Sequence, residues 1–337
     1  MFKNICIYGA GAIGGWLGAG LAAAGHAVNV VARGDTLAAL REHGLRLRQG
    51  SGADERERSV AVTATDEPAT LGAQDLVIVA VKAPAMPEVA RAIGPLIGPR
   101  TVVLTAMNGV PWWFLHGLGG PGSERTLRTV DAGETIARAI PVASVLGGVV
   151  HASCSLDAPG VVRHRVGRGL IVGEPVGGTS ARAQALVALL LGAGFEATLS
   201  DRIQRDVWFK LWGNMTVNPV CAITGATSDR VLDDPLLRNF LSAVMLEARE
   251  IGARIGLPIE QTPEDRHAVT RKLGAMRPSM LQDVEAGRAV ELDALVGAVR
   301  ELGQLNGVAT PFTDALLGLA RVHARQRGLY GPPAGPD

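Results

Sequence analysis

The chain has 337 residues, of which 47% are hydrophobic and 19% charged, and its formal net charge is +1. This length suffices for about two domains, and the balanced charge argues against nucleic-acid or anionic-membrane binding. Three scattered cysteines (Cys6, Cys154 and Cys221) argue against a disulfide framework. The start, MFKNICIYGAG, lacks a signal-peptide layout, and no apolar run has membrane-spanning length. The sequence therefore predicts a soluble, cytoplasmic protein.

The first 110 residues alternate between strand and helix patterns. An apolar strand, ICIY, leads through glycines into an Ala/Leu/Gly helix and a second strand, AVNVVAR. Further strands are predicted at VAVTAT, DLVIVAVKA and TVVLTAMNGV, with a helix at PEVARAIGPLIG. This βαβ alternation is typical of a parallel sheet.

The pattern changes in the second half of the chain. Residues 142–172 predict strands of an antiparallel extension, and 180–193 predict a helix. From Asp201 onward helical periodicity dominates, as in DDPLLRNFLSAVMLEAREIGARIG and VELDALVGAVRELGQLNG. We predict an α/β protein with a Rossmann-type NADP-binding domain over 1–200 and a mostly α-helical substrate and catalytic domain over 201–330. The tail at 331–337 is predicted to be disordered.

A glycine-rich motif follows the first strand. GAGAIG runs from Gly9 through Gly11, Ala12 and Ile13 to Gly14 and matches G-x-G-x-x-G between a strand and a helix. In a dinucleotide site the first glycine makes a tight turn, the second lets the backbone approach a pyrophosphate, and the third allows close packing. The motif predicts a dinucleotide site; a simple glycine-rich turn is the alternative.

Arg33 favours one of the two nicotinamide cofactors. An NAD site usually carries Asp or Glu near the end of the second strand, where this chain has Arg33. A guanidinium suits a 2′-phosphate, so NADP(H) is favoured. A solvated surface arginine is the alternative, and Asp35 lies close by in sequence.

A line of polar residues crosses an apolar helical segment. In FKLWGNMTVNP, Lys210, Asn214 and Asn218 are four residues apart and share one helix face. Only four of the 33 basic residues are lysines, so a lysine in an apolar segment suggests a tunable acid. The line therefore predicts contact with water, a partner or a ligand, because an unpaired buried ammonium is costly.

Two polar residues follow predicted strands. Lys82 ends DLVIVAVK, and Asn108 ends TVVLTAMN. Ligands of open α/β sheets lie beyond the carboxyl ends of the strands, so both residues are predicted to face the nicotinamide. A solvated strand-end charge is the alternative for Lys82, and an ordinary Asn-Gly turn is the alternative for Asn108.

The ordered series of motifs resembles the ketopantoate reductase (2-dehydropantoate 2-reductase) family over nearly the whole chain. The series comprises GAGAIG, VARG, VKA, the NG turn, KLWGNMTVNP, and SMLQD followed by E-x-D and Gly297. The resemblance implies a Rossmann-type domain, a helical domain and an active site in the cleft between them. It also implies NADPH-dependent reduction of a 2-oxo acid to a 2-hydroxy acid, 2-dehydropantoate to pantoate, in pantothenate biosynthesis.

The resemblance also implies roles for individual residues. Lys210 corresponds to the catalytic lysine and Glu291 to its acidic partner, whereas Asp293 is expected to be a surface or capping charge. The further implied roles are Asn108 bridging cofactor and substrate, Asn214, Asn218 and Ser279 binding substrate, and Lys82 on the cofactor side.

Four residues depart from the family pattern. Val296 replaces an asparagine before the glycine, Met107 replaces Gln or His before the NG turn, and Trp112 and Trp113 add bulk after it. The tryptophans either reshape the acyl pocket or pack the domain. These departures leave the particular 2-oxo acid open.

Other readings remain at this stage. One is a related NADP-dependent reductase or hydroxyacid dehydrogenase that acts on another keto acid, and another is an NADP-sensing regulator without turnover. No metal site is predicted, because the close pair His151 and Cys154 has no further ligand nearby. A homodimer is one oligomeric state that the long C-terminal helices would allow.

Overall fold

The computed structural model describes residues 2–50, 52–119 and 125–331. The chain divides into two compact units. The first comprises residues 1–107, 113–124 and 133–206, and the second comprises residues 108–112, 125–132 and 207–337.

A ten-stranded sheet forms the framework of the first unit. The strands are β1 (Ile5–Tyr8), β2 (Val28–Val31), β3 (Leu45–Gln49), β4 (Arg56–Val60), β5 (Thr63–Thr65), β6 (Leu76–Val79), β7 (Val102–Thr105), β8 (Val145–Ala158), β9 (Val161–Gly173) and β10 (Glu196–Ser200). Their order is β4-β3-β9-β8-β7-β6-β1-β2-β5, with β10 pairing with β9. Among the described strand pairs, β3–β4 and β8–β9 are antiparallel and the others are parallel.

The helices of this unit pack around an apolar core that includes the central strands. They are α1 (Ala12–Ala23), α2 (Gly34–His43), α3 (Met86–Ala92), α5 (Thr135–Ala139) and α6 (Ala181–Gly192). Glycines let α1 approach the sheet closely: a Cβ at Gly15 would lie 2.5 Å from Val162, and one at Gly18 would lie 3.2 Å from Ile7. The glycines of α1 are thus needed for close packing of this helix on the sheet.

The register of the parallel strands brings several loops to one edge of the sheet. Tyr8, the last residue of β1, pairs with Val31 of β2 and with Val79 of β6. The carboxyl ends of β1, β2 and β6 therefore lie at the same end of the sheet. The segments that follow them contain the glycine loop, Arg33 and Lys82.

The second unit is helical. Its main helix is α7 (Ile203–Thr224), which belongs to this unit from Val207. The remaining helices are α4 (Arg128–Asp131), α8 (Ser228–Asp233), α9 (Pro235–Arg254), α10 (Pro263–Arg271), α11 (Ser279–Glu285), α12 (Ala298–Leu305) and α13 (Pro311–Gln326). A single π-helical turn, Asp293–Gly297, precedes α12.

The predicted α/β class with a Rossmann-type first part and a helical second part is confirmed. The antiparallel extension exists as β8 and β9, and the helix predicted at 180–193 is α6. Some boundaries differ: the helix predicted at 87–98 ends at Ala92 and is followed by a 3-10 turn. The domain limits at residue 200 remain predictions, and the predicted tail beyond Gly331 lies outside the described residues.

A methyl group added inside the α1 contact should destabilise the first unit. Gly15→Ala places its Cβ 2.5 Å from the fully buried Val162. We expect this overpacking to lower the free energy of unfolding by about 1–3 kcal/mol, measured by chemical denaturation. The control is Gly192→Ala, whose added Cβ meets no atom within 4 Å. Equal stability of the two variants would contradict the packing argument.

Candidate active site

The glycine loop after β1 has the geometry that a pyrophosphate site needs. Gly9 has φ +95°, and a Cβ there would lie 2.5 Å from Val81. A Cβ at Gly14 would lie 2.0 Å from the carbonyl oxygen of Gly9, whereas a Cβ at Gly11 would meet nothing within 4 Å. Gly9 and Gly14 thus permit the turn and the helix packing, and Gly11 leaves the backbone open to a ligand.

The start of α1 adds the electrostatics of an anion site. Gly11 caps the helix without a side-chain hydrogen bond, and the first turn, with Ala12 and Ile13, contains no acidic residue. The first N–H groups of a helix lack intrahelical partners and carry partial positive charge. These residues therefore fit the pyrophosphate of a dinucleotide.

Arg33 stands just before α2, with 71% of its side chain exposed. Its guanidinium hydrogen-bonds and ion-pairs with Glu88, which is also largely exposed. A 2′-phosphate at this position would therefore compete with the Glu88 carboxylate for the same guanidinium.

Lys82 lies three residues after the end of β6 and is half-buried. Its extended backbone caps a short 3-10 helix, Ala83–Ala85. The sheet register thus brings Lys82 to the same end of the sheet as the glycine loop, and its position beside the nicotinamide stays a prediction.

A hydrogen-bonded lysine lies in the second unit. Lys210 on α7 donates from Nζ to Oδ1 of Asn108 across 2.8 Å. The charge of buried Glu291, which is 5% exposed, also acts on this ammonium. Lys210, Asn108 and Glu291 are called the Lys210 centre below.

Burial changes the acidity of Lys210. Its side chain keeps some accessible surface, but the ammonium is enclosed closely enough that desolvation lowers its pKa from 10.5 to about 8. Glu291 opposes this shift because its negative charge favours the ammonium, whereas the positive charge of Arg266 adds to it. Lys210 is thus a cation at neutral pH that releases its proton more readily than an ordinary lysine.

The backbone fixes both partners of Lys210. Gly109 has φ +81°, and a Cβ there would lie 2.6 Å from the carbonyl oxygen of Ala294. The N–H of Val110 donates to that same oxygen across 2.8 Å. The turn after Asn108 is therefore docked on the π-helical turn that follows Glu291. Such single π turns are frequent at functional sites.

The periodicity of VELDALVG predicted that Glu291 lies inside a helix, but the structure places it outside one. It immediately precedes the helical segment, and its carbonyl accepts from the N–H of Leu295. Asp293 accepts a hydrogen bond of 2.5 Å from the Tyr330 hydroxyl and is half-exposed. Asp293 is thus bound to the C-terminal segment.

The three predicted substrate residues differ in exposure. Asn214 and Asn218 lie on α7, one and two turns after Lys210, and Asn218 is buried with 6% exposure. Ser279 is exposed at the first position of α11. Among the described residues, Ser279 makes no hydrogen bond within the Lys210 centre.

The sequence did not single out Arg266, whose charge acts on Lys210. A signal for it existed in Gly213, a glycine in the middle of helix α7. A glycine inside a helix often marks the close approach of another group, and here that group is the Arg266 guanidinium.

Comparison with known proteins identifies the family. Residues 5–177 match the family model described as "Ketopantoate reductase PanE/ApbA", and residues 202–324 match its C-terminal counterpart. The chain belongs to the ketopantoate reductase family. The resemblance stated from the sequence is thereby confirmed.

Individual members of the ketopantoate reductase family align over almost the whole chain. A 2-dehydropantoate 2-reductase from Mesorhizobium japonicum is 42% identical, covering 97% of this chain and 99% of that protein. A crystal structure of a candidate ketopantoate reductase from Ralstonia solanacearum is 57% identical with a TM-score of 0.92, covering 98% and 100% of the two chains. D-Mandelate dehydrogenase with NADH and anilino(oxo)acetate, at 23% identity and TM-score 0.81, shares the fold and covers 96% and 99%.

The residues that depart from the ketopantoate reductase pattern are mostly buried. Val296 lies within the π turn, and Trp112 and Trp113 are almost fully enclosed. Trp113 donates from its indole nitrogen to Thr105 across 3.2 Å and packs against Gly147. Trp113 therefore packs the first unit, and Met107 beside the turn is half-buried.

Within the described part of the chain, no group of three or more His, Cys, Asp and Glu residues could hold a metal ion. The described helices include none with the length and apolarity needed to cross a bilayer.

Arg33 should control the choice between NADPH and NADH. We expect Arg33→Ala to raise the Kd for NADPH by about 10–100-fold, because a charge-assisted contact to the 2′-phosphate is lost. The Kd for NADH should hardly change, with both values measured from nicotinamide fluorescence. Arg41→Ala on α2 is the control, because Arg41 pairs with Asp66. Equal weakening for both cofactors would contradict the role of Arg33.

Proposed function

We propose that this chain catalyses the NADPH-dependent reduction of 2-dehydropantoate to pantoate, a step of pantothenate biosynthesis. Membership of the ketopantoate reductase family supports the reaction. The main structural support for the proposal is the Lys210 centre, in which a buried ammonium donates a hydrogen bond of 2.8 Å to Asn108 and is stabilised by the negative charge of Glu291.

Lys210 acts as the general acid. NADPH, when bound, supplies a hydride to the ketone carbon, and negative charge develops on the carbonyl oxygen. The Lys210 ammonium stabilises that charge and transfers a proton to the oxygen, so that the ketone becomes a hydroxyl group. A pKa of about 8 keeps the group protonated at neutral pH and eases the transfer.

The neighbours of Lys210 position the reacting groups. Asn108 holds the ammonium through its amide oxygen, which leaves its amide nitrogen to donate to cofactor or substrate. Glu291 keeps the ammonium charged and orients it or the substrate hydroxyl. Asn214, Asn218 and Ser279 are proposed to bind the carboxylate and hydroxyl groups of the substrate.

The cofactor is proposed to bind through the first unit. Gly9, Gly11, Ala12, Ile13 and Gly14 fit the pyrophosphate, as their geometry supports. Arg33 takes the 2′-phosphate, and Lys82 lies on the nicotinamide side.

Two alternatives carry less weight. An NADP-sensing regulator has no use for a buried lysine with a shifted pKa, because such groups cluster at catalytic sites. A related reductase for another keto acid would use the same centre, so an assay with several 2-oxo acids distinguishes it. We also propose a cytoplasmic location and a homodimer, the latter testable by light scattering.

Replacing Lys210 should abolish most of the turnover. Lys210→Ala is expected to lower kcat by about 10²–10⁴-fold, because the proton donor and the charge stabilisation are lost together. The measurement is NADPH oxidation with 2-dehydropantoate as substrate. The matched control is Lys272→Ala, since Lys272 is an exposed lysine outside the centre. Undiminished turnover in Lys210→Ala would refute the mechanism.

The pH profile should report the proton of Lys210. We expect kcat/KM to fall as pH rises through about 8, where the ammonium is lost. Glu291→Gln removes a charge that favours the ammonium, so the falling limb should move to lower pH. Glu285→Gln is the control, because Glu285 pairs with Arg277. A limb that stays near 10.5, the ordinary lysine value, would contradict this assignment.

A further inference from the structure

We propose that Arg266 binds the carboxylate of the 2-oxo acid and thereby selects acids over neutral ketones. This inference rests on the proposed function, since it concerns the substrate of the same Lys210 centre. It adds a residue from α10, a helix that the sequence analysis did not connect with the site.

The guanidinium of Arg266 packs against α7 at Gly213 and Phe209. A Cβ at Gly213 would lie 2.4 Å from Nε and 2.5 Å from Nη2 of Arg266, so a larger residue there would displace the guanidinium from this position. The Cζ atom of Arg266 also lies 5.7 Å from the ring centroid of Phe209, one helical turn before Gly213. The glycine gap and the aromatic ring together hold the planar cation in place.

This cation has no anionic partner in the described part of the chain. Its Nε is buried without a hydrogen-bond partner, and its guanidinium makes no ion pair with a described residue. The nearby carboxylate of Asp265 is engaged by Thr262 instead. Burial alone lowers the pKa of Arg266, and no nearby carboxylate opposes that effect. An enclosed cation without an anion is costly, so a bound anion would satisfy it.

The position of Arg266 suits the chemistry of a 2-oxo acid. Gly213 follows Lys210 by three residues, which places the two on neighbouring positions of the helix surface. Arg266 is also close enough for its charge to act on Lys210. In a 2-oxo acid the carboxylate is bonded directly to the ketone carbon. A ketone oxygen at Lys210 therefore brings the carboxylate toward a second cation beside it.

The charges of this site also balance with an acid. The charges that act on Lys210 are those of Glu291 and Arg266, so these three groups together carry one net positive charge. A monocarboxylate substrate supplies the missing negative charge. A cofactor phosphate is a weaker candidate, because the features that fit phosphates are the glycine loop and Arg33.

The test compares an acid with its neutral analogue. The substrates are 3,3-dimethyl-2-oxobutanoate and its primary amide, assayed by NADPH oxidation. Arg266→Met removes the charge and keeps an unbranched side chain over Phe209. We expect the KM for the acid to rise by about 100-fold and the KM for the amide to change little, because only the acid loses a charged contact. Arg266→Lys keeps the charge without the planar fork and should recover only part of the affinity.

A second variant moves the guanidinium without removing it. Gly213→Ala would place a methyl group on Arg266, and this flexible side chain can shift away. We expect the KM for the acid to rise as in Arg266→Met, although alanine favours the helix. This variant keeps the test valid if Arg266→Met does not fold. Arg271→Met on the same helix is the control, because Arg271 is paired with Asp233.

Each outcome has one meaning. An unchanged preference for the acid over the amide in both variants would refute the role of Arg266. A rise in the KM for NADPH that matches the rise for the acid would refute it too and assign Arg266 to a cofactor phosphate. A wild-type chain that reduces no 2-oxo acid would instead refute the proposed function.

Discussion

A buried ammonium group loses the stabilisation that water gives its charge, and the protein has to replace it with hydrogen bonds and opposite charges. The amide oxygen of Asn108 and the negative charge of Glu291 each supply part of this stabilisation to Lys210. Neither partner is close to Lys210 in sequence, so the second unit has to hold both in place. The docking of Gly109 and Val110 on the carbonyl of Ala294 does this through the backbone.

The same desolvation that makes this arrangement costly makes it useful for chemistry. A fully hydrated lysine holds its proton too tightly to be an efficient acid near neutral pH. Enclosure lowers the pKa of Lys210 to about 8, and Glu291 prevents a larger fall. The nearby Arg266 adds a second positive charge, which an acidic substrate would balance. This pair of positive charges supports our proposal that the site binds an anion that carries a ketone.

The first unit solves a different problem, the close approach of backbone groups to one another and to a dinucleotide. Glycines in and after the loop allow a tight turn, an open helix start and a helix packed closely on the sheet. The side chains that we propose for this site are those of Arg33 and Lys82. Arg33 pairs with Glu88, so a 2′-phosphate bound there, as we propose, would compete with that carboxylate for one guanidinium.

The sequence by itself determined the elements whose signals are local. The glycine loop, the parallel strands β1, β2, β5, β6 and β7, the helix that carries Lys210, and the family were predicted from short motifs and periodicity, whereas β3, β4 and β10 were not predicted. Local patterns also placed Arg33 and Lys82 at the ends of two predicted strands, and the register of β1, β2 and β6 brings both to one end of the sheet. The helical periodicity around Glu291 was misleading, since the segment begins only after this residue and then forms a π turn.

Only the tertiary structure decided which distant groups meet. Asn108 and Lys210 are 102 positions apart, and nothing in either segment encodes a contact of 2.8 Å. The pKa of Lys210 likewise depends on how tightly folding encloses it, and Arg266 gains significance only where it meets Gly213. Sequence periodicity shows which face of a helix is polar. Hydrogen bonds, desolvation and charge depend on distances in space, which the fold alone sets.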